Sequence, residues 1–484
     1  MKFLLILVSF ILSTQATAAV VFSESELLDM LEQSPHLKAF EAQIQKVEAE
    51  INGAMLNFSP NLEATLRYNS TNEPSLIIFD PPPKPYYSTE VKLNNNTMYG
   101  VGYSLGVLGE SIETVPSDDP GAFSFNSARI NPTFSVSMDL LRNRFGSETL
   151  NQVRSLKAKL KTLNIEKEIT KENLNAKLRT LFWTHNVLVE KRKINERLLV
   201  LSKQLLKDIR KKKKDGLVES GDLYSAQSQM SGQNSNVALI SYQIQKVKKN
   251  LSSLLPTLPL SYDLKSVQLG SEDSKVFYNC LQTILNYKEA PLELSYLSNQ
   301  IDERQKSLNF VEDSLKSFSK PSLKLMGQLS GSNVDTRYLQ AAEDYFDESR
   351  YGFSVGLSFS MPLSNYLKKQ RKNLINSERF QVKSENEKDK AELRALHQET
   401  TSSIKLLNQA LKDQKDTTAT LEKSYKFKQK QYKQARVDLF DVIQEQNNYL
   451  GSELNQLNIV QVIIESLLEY KSKFQKFSCQ GGSI

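Results

Sequence analysis

Gly216-Leu-Val-Glu-Ser-Gly-Asp-Leu-Tyr-Ser-Ala-Gln227 and Ala435-Arg-Val-Asp-Leu-Phe-Asp-Val-Ile-Gln-Glu-Gln446 are two versions of one stretch. Asp222 and Asp441 stand 219 positions apart (441 − 222), and Gln227 and Gln446 keep the same offset. Each stretch interrupts a long helical tract, and each tract follows a pair of short alternating runs. Self-similarity at a fixed period signals a duplicated structural unit, here strand–strand–helix–helix.

The alternating runs predict strands with one apolar and one polar face. In the first half, Leu62, Ala64, Leu66 and Tyr68 alternate with Glu63, Thr65 and Arg67. From Pro132 to Leu141, Phe134, Val136, Met138 and Leu140 alternate with Thr133, Ser135, Ser137 and Asp139. The second half repeats this at Leu323, Leu325 and Leu329, after Pro321. It does so again at Tyr351, Phe353, Val355, Leu357, Phe359 and Met361, before Pro362. Each run has about the 9–11 residues that a tilted strand needs to cross a bilayer; a water-facing sheet on a soluble core is the alternative.

Between the first two strands, residues 69–129 form a long segment. It carries Pro81-Pro82-Pro83-Lys84-Pro85, the turn Asn94-Asn95-Asn96, and alternation on both sides of that turn (Tyr87–Leu93 and Tyr99–Val107). The expected reading is a long outer loop carrying its own hairpin over 86–108, the alternative a hairpin within the sheet.

The helical tracts, roughly Ser147–Leu255 and Leu367–Phe477, place apolar residues three and four apart. The series Leu174, Leu178, Leu181, Leu188, then Ile194, Leu198, Leu201, Leu205, returns as Leu450, Leu454, Leu457, Ile464, Leu468. Such spacing is a coiled-coil seam rather than a globular stripe. A break near the midpoint of each tract would give two antiparallel helices of about 50–60 residues, reaching about 75–90 Å. A compact domain has no use for that reach; a tube has.

Met1-Lys2, the apolar run Phe3–Leu12 and Ala16-Thr17-Ala18 read as an export signal over 1–18. The apolar run is too short for a membrane-spanning helix and no other stretch qualifies, so any membrane insertion must use strands. The order is then a first repeat over 19–256 (helix, two strands with the outer loop 69–129, two long helices) and a short segment over 257–290. A second repeat follows over 291–468 and a C-terminal tail over 469–484. The net charge of +7 comes from 62 basic and 55 acidic residues. That near balance, with export, argues against a nucleic-acid partner. Cys280 and Cys479 lack metal-ligand spacing, and two free thiols are the expected reading; the alternative in an oxidising compartment is a disulfide, which the expected packing of 257–290 beside the C-terminal tail would allow. No phosphate loop, nucleophile elbow or metal cluster is present, so no enzyme, cofactor or metal is expected.

These pieces, in this order, resemble the TolC-like outer-membrane efflux proteins over nearly the whole mature chain. The resemblance implies a four-stranded share of a trimeric, twelve-stranded transmembrane β-barrel, long antiparallel α-helices forming a coiled-coil tunnel in the periplasm, and an equatorial segment. It implies a homotrimer in outer-membrane lipid, working with a periplasmic adaptor and an inner-membrane pump as a passive exit duct. Secretion of proteins is a rival within transport, and a soluble periplasmic coiled-coil scaffold a rival outside it.

The resemblance also places a gate at the repeated turns. Asp441 matches the first aspartate of the family's aperture, and Gln444 stands where the prototype has a second. Tyr432 and Asp222 match a phenol–carboxylate pair that ties inner to outer helices, while Val437 and Gly221 occupy the positions of an arginine–threonine tie that is absent here. Lys213, Lys214, Gly216, Leu217, Ala435 and Arg436 are the candidate adaptor contacts. The plainer readings stand beside these: Asp222 as a helix cap, and Lys211–Lys214 as a solvated helix face. His185 falls on the seam and is expected to pack there, and Trp183 is expected on the tunnel wall or an interface.

Overall fold

A computed structural model describes residues 20–479 except 70–85, 114–125, 260, 268–271, 319, 346–349, 362–365 and 435. The export signal, the Pro81–Pro85 stretch, Pro362 and Ala435 lie outside the described residues. The chain divides into two compact units. One comprises Glu41–Ile165 and Asn299–Lys388, the other Met1–Phe40, Glu166–Ser298 and Asp389–Ile484.

The first unit is built on six antiparallel strands. Four come from the first half, β2 (Asn61–Asn69), β3 (Tyr86–Asn96), β4 (Val101–Glu113) and β5 (Asn126–Asp139). Two come from the second half, β7 (Ser322–Asp335) and β8 (Arg350–Ser360). Their order is β2-β3-β4-β5-β7-β8, so β2 and β8 are the edges. This corrects the expected four-stranded share and the outer-loop reading of 69–129. Residues 86–113 are two full-length strands between β2 and β5, and β2 joins the sheet only through β3.

The register aligns the alternation across the whole sheet. Leu62 faces Leu93, Leu93 faces Leu105, Leu105 faces Phe134, Phe134 faces Leu329, and Leu329 faces Phe353. One face is therefore apolar across all six strands, and that face is the open one: Leu66 is 79% exposed and Phe353 81%. The polar face is the better covered, with Ser88, Ser104, Glu110 and Ser322 buried. A water-soluble sheet has the opposite arrangement. On the polar face, the Ser104 and Ser135 hydroxyls lie 2.5 Å apart, Arg129 pairs with Glu110, and Ser322 donates to Asp139 at 2.6 Å.

In this unit the short helix α7 (Tyr338–Glu343) packs on β5 and β7, its Ala341 carbonyl accepting from Asn333 Nδ2 at 3.0 Å. Parts of α2 (Pro35–Leu56), α3 (Ser147–Lys214), α6 (Leu297–Phe318) and α8 (Tyr366–Lys433) belong here too. They bury Val47, Val153, Ile301, Ile375 and Val382 and are linked by polar contacts as well: Ser155 beside Ser307 at 3.2 Å, Arg304 with Glu385 at 2.8 Å, and Arg379 with Glu312 at 2.5 Å.

The second unit holds the rest of α3 and α8 with α4 (Ser220–Leu254) and α9 (Leu439–Lys473). It also contains α1 (Glu24–Leu31), α5 (Glu272–Ile284) and the parallel pair β1 (Val20–Phe22) and β6 (Tyr262–Leu264). The turns do not bisect the helical tracts. α3 and α8 each have 68 residues, and α4 and α9 each have 35. The expected pair of 50–60-residue helices is thus replaced by a long and a short one, because Gly216 falls two-thirds of the way along its tract.

Apolar side chains are buried here, as the seam predicts. Ile194, Leu198, Leu201 and Leu205 form one cluster with Ala226, Ile443 and Leu450. A larger cluster joins Leu27, Leu31, Leu178 and Leu251 to Phe277, Leu281, Ile464, Leu468, Phe474 and Phe477. Trp183 lies inside that core, edge-on to Phe277 with ring centres 4.8 Å apart, and not on an exposed wall. Cys280 of α5 and Cys479 of the tail are joined as a disulfide, with Cα atoms 4.9 Å apart. The expectation of two free thiols is overturned: the fold brings together what 199 residues separate.

Candidate functional site: the two helical turns

The first turn ends α3 with a glycine in the left-handed region, Gly216 at φ 72°. Gly216 N–H donates to the Lys213 carbonyl at 3.1 Å and Leu217 N–H to that of Lys212 at 2.8 Å, which satisfies carbonyls orphaned at the helix end. Lys211–Lys214, in the last turn, complement the negative end of the helix dipole. The chain enters α4 through Glu219, whose N–H donates to the Asp222 carboxylate at 3.2 Å. Asp222 therefore closes its own helix start, as a residue three places past the cap does in a capping box.

The second turn has no glycine. Arg436 N–H donates to the Gln431 carbonyl at 2.9 Å, and α9 starts after Asp438. Lys212 reaches across from the first turn and donates to both carboxylate oxygens of Asp438, at 2.7 and 2.6 Å. Asp208, one turn back on α3, lies 3.3 Å from the same ammonium. The Lys212 hydrogen bond holds the Asp438 carboxyl below its usual range, and the Asp438 hydrogen bond raises the Lys212 pKa. Both partners thus favour the charged pair.

This is the tie between the turns in the described structure, and it replaces the expected one. Tyr432 is half-exposed and makes no hydrogen bond among the described residues, and the Asp222 carboxylate is engaged with Glu219. The substitution has a simple cause. Tyr432 lies on α8 before the turn, whereas Asp438 is the cap itself, within reach of a lysine's long stem.

Asp441 and Gln444 lie three residues apart on α9, both exposed, while Val442 and Ile443 between them are buried. They thus share a face directed away from the helical core. Of the expected adaptor contacts, Leu217 is 72% exposed, Lys214, Gly216 and Arg436 are exposed, and Lys213 donates to Ser220 at 3.0 Å. Beside the first turn lies an open groove of about 1160 Å³, with Leu206, Leu223 and Leu439 along its floor and Lys203, Lys207 and Arg210 on its rim. Lys211, Lys213 and Lys214 line the same groove; its apolar floor joins Leu206 of α3 to Leu223 of α4 and Leu439 of α9, a juxtaposition with no local sequence signal.

Two histidines lie deep in the helical unit, away from the turns. His185 is buried, and desolvation, assisted by the nearby Lys248, lowers its pKa to about 4. His397 contacts the Tyr470 hydroxyl at 3.1 Å and the Tyr287 carbonyl at 3.2 Å, and burial depresses its pKa.

No protein-family model and no curated protein matches the chain. Solved structures do. The chain is similar to the outer-membrane protein VceC from Vibrio cholerae, with a TM-score of 0.63 at 12% identity, covering 93% of this chain and 95% of that one. It is similar to the CmeC outer-membrane channel of Campylobacter jejuni, with a TM-score of 0.61 at 12% identity over 95% and 87%. The open state of the MtrE outer-membrane channel of Neisseria gonorrhoeae gives 0.57 at 11% identity over 95% and 91%. The chain has the fold of the TolC-like outer-membrane channels.

Proposed function

We propose that this chain is one of three identical parts of an outer-membrane exit duct. It would passively conduct what an inner-membrane pump and a periplasmic adaptor deliver. One observation carries the reading: a sheet whose apolar side chains are exposed on all six strands, while Ser88, Ser104, Glu110 and Ser322 on the polar face of its middle strands are buried, and whose two edges are open. An apolar face of this extent is stable against hydrocarbon and unstable against water. Unpaired edges are not tolerated in a bilayer, so the sheet must close on further copies. β8 runs toward the helices and β2 away from them, so β8 of one copy meets β2 of the next antiparallel, as the rest of the sheet requires. The likeness to solved outer-membrane channels supports this placement and the tunnel role of the long helices. The same exposed face counts against a soluble scaffold, and the groove and exposed side chains at the turns suit an adaptor.

On this reading three copies of Asp441 ring the aperture, with Gln444 as a neutral second ring. Clustered carboxylates in a narrow pore focus potential and favour cations. Native mass measurement on detergent-extracted protein should give three chains, and Val355→Lys should destabilise the assembly by about 2–4 kcal/mol if it meets the bilayer midplane. In planar bilayers, Asp441→Asn should lower cation preference and Gln444→Asp should raise it. A monomer soluble without detergent would overturn the proposal.

A further inference from the structure

The chain places more strands in its sheet than the resemblance implies, and the surplus is localised. The starts of α3 and α8 are 219 residues apart (366 − 147), as are those of α4 and α9 (439 − 220). The preceding segments do not match: α2 to α3 spans 112 residues (147 − 35), and α6 to α8 only 69 (366 − 297). The excess of 43 residues is close to the length of 70–113, which contains β3 and β4.

That hairpin has every local mark of its neighbours. Val91, Leu93, Leu105 and Val107 extend the apolar face, all exposed, while Ser88 and Glu110 extend the covered polar one. Its turn is closed by Thr97 N–H donating to the Val101 carbonyl at 2.7 Å. The turn also sits against the junction between β5 and α3. A Cβ on Gly146 would overlap the Met98 carbonyl, and one on Gly100 would come 2.5 Å from the Asn143 carbonyl. Removing the hairpin from the wall would leave β2 with no neighbour in its own chain.

We infer that β3 and β4 are barrel wall, so that each copy contributes six strands and a three-copy barrel contains eighteen. The copy number rests on the proposed function; the place of the hairpin does not. A pair of antiparallel strands is an insertion that preserves closure, because it leaves the directions of β2 and β5 unchanged. At a strand spacing near 4.8 Å and a tilt near 40°, eighteen strands enclose a wall about 36 Å across, against roughly 24 Å for twelve. The duct's outer mouth would be half as wide again as a twelve-stranded one.

The test places an added tryptophan in the apolar face of the hairpin and, separately, in β8. Leu105→Trp and Val355→Trp are reconstituted in vesicles with bromine-labelled acyl chains, with the wild type and its single Trp183 as the blank. Expected is equal loss of the added fluorescence in both variants. Quenching of Val355→Trp alone would overturn the place of the hairpin and leave the duct standing; quenching of neither would overturn the duct itself. Projection microscopy of the wild-type complex, with native mass on the same sample, settles the count. Three copies with a wall near 36 Å support the inference, whereas three copies near 24 Å, or two copies, overturn it.

Discussion

The two halves of the chain match in the lengths of their long and short helices and diverge in their strands. Both long helices have 68 residues and both short ones 35, yet one half supplies four strands and the other two. The difference reflects what each structure tolerates. Ile194, Leu198, Leu201 and Leu205 of the first half pack with Ile443 and Leu450 of the second, so an inserted turn on one side would shift every later contact. A sheet is more permissive. It accepts a hairpin wherever the alternation of faces stays in register and an even number of strands is added.

The largest expected effect probes the surplus hairpin. Gly146 has φ 71° and its α-carbon faces the Met98 carbonyl at the hairpin turn. Gly146→Val combines left-handed strain with a backbone clash, and should destabilise the sheet unit by about 4 kcal/mol or more. Gly221→Ala is the counterpart in the helical unit, where nothing lies within 4 Å of the added carbon. In a helix that change should stabilise by up to about 1 kcal/mol. Heat resistance of the folded species in detergent would show both signs. An unchanged Gly146→Val protein would mean that the hairpin is not seated where the sheet places it.

The disulfide comes next. It ties α5, which lies between the halves, to the end of the second half, and has no counterpart in the first. Closing so long a loop restricts the unfolded chain, and losing the link typically costs about 2–5 kcal/mol. Cys280→Ser with Cys479→Ser should lower the melting temperature, and a reductant should do the same to the wild type only. Equal melting with and without reductant would show that the link does not form.

What the sequence made legible follows the range of the interaction that decides each feature. Alternation and the three-four seam are local, and they located β2, β5, β7, β8 and the long helices. The alternation of Tyr87–Leu93 and Tyr99–Val107 was equally local, but the proline run and the long connection favoured a loop. Only pairing on both sides, with β2 and with β5, makes the hairpin part of the sheet. Asp222 was read as a cap following Gly221, but the helix starts two residues earlier, at Ser220, so that Glu219 is the cap and Asp222 closes the box from three places inside. The Lys212–Asp438 pair, 226 residues apart, has no sequence signal beyond composition, whereas the Cys280–Cys479 link had only the expected packing of the short segment beside the tail.

His185 in the first half corresponds to Ile404 in the second, and both are buried, at 4% and 1% exposure. The histidine is held neutral chiefly by burial, with Lys248 and Arg192 adding to that and Asp263 opposing it, and its pKa is lowered to about 4. An unfolded histidine near 6.5 takes up a proton first, so the folded state loses stability as pH falls from about 6.5 toward 4, by about 3 kcal/mol in all. His397, depressed in the same direction, adds to the trend. His185→Ile makes the halves alike at this position. It should flatten the fall in melting temperature between neutral pH and pH 4, and an unaltered slope would remove His185 as its source.

The smallest expected effect lies at the turns. Lys212 of the first half binds Asp438 of the second, and the offset positions are Gln431 and Glu219, where a charged pair is absent. The tie is therefore one-sided. With Asp438 half-exposed, it should be worth no more than about 1 kcal/mol, or roughly a fivefold change in a closed–open balance. The hydrogen bond lowers the Asp438 pKa, so its stabilisation is full above the unfolded carboxylate range and fades as pH falls through the folded value. Asp438→Asn removes the charge while keeping the cap, and should raise the open fraction in planar bilayers. Gln431→Lys supplies the cation that the 219-residue offset sets against Glu219, and should lower it. The two changes should move in opposite directions and shrink together as salt is added, because both are partly exposed pairs. If Asp438→Asn conducts like the parent while Gln431→Lys still closes the channel, then the second-half cap is not part of the closure. The asymmetry between the turns would then be a matter of packing alone.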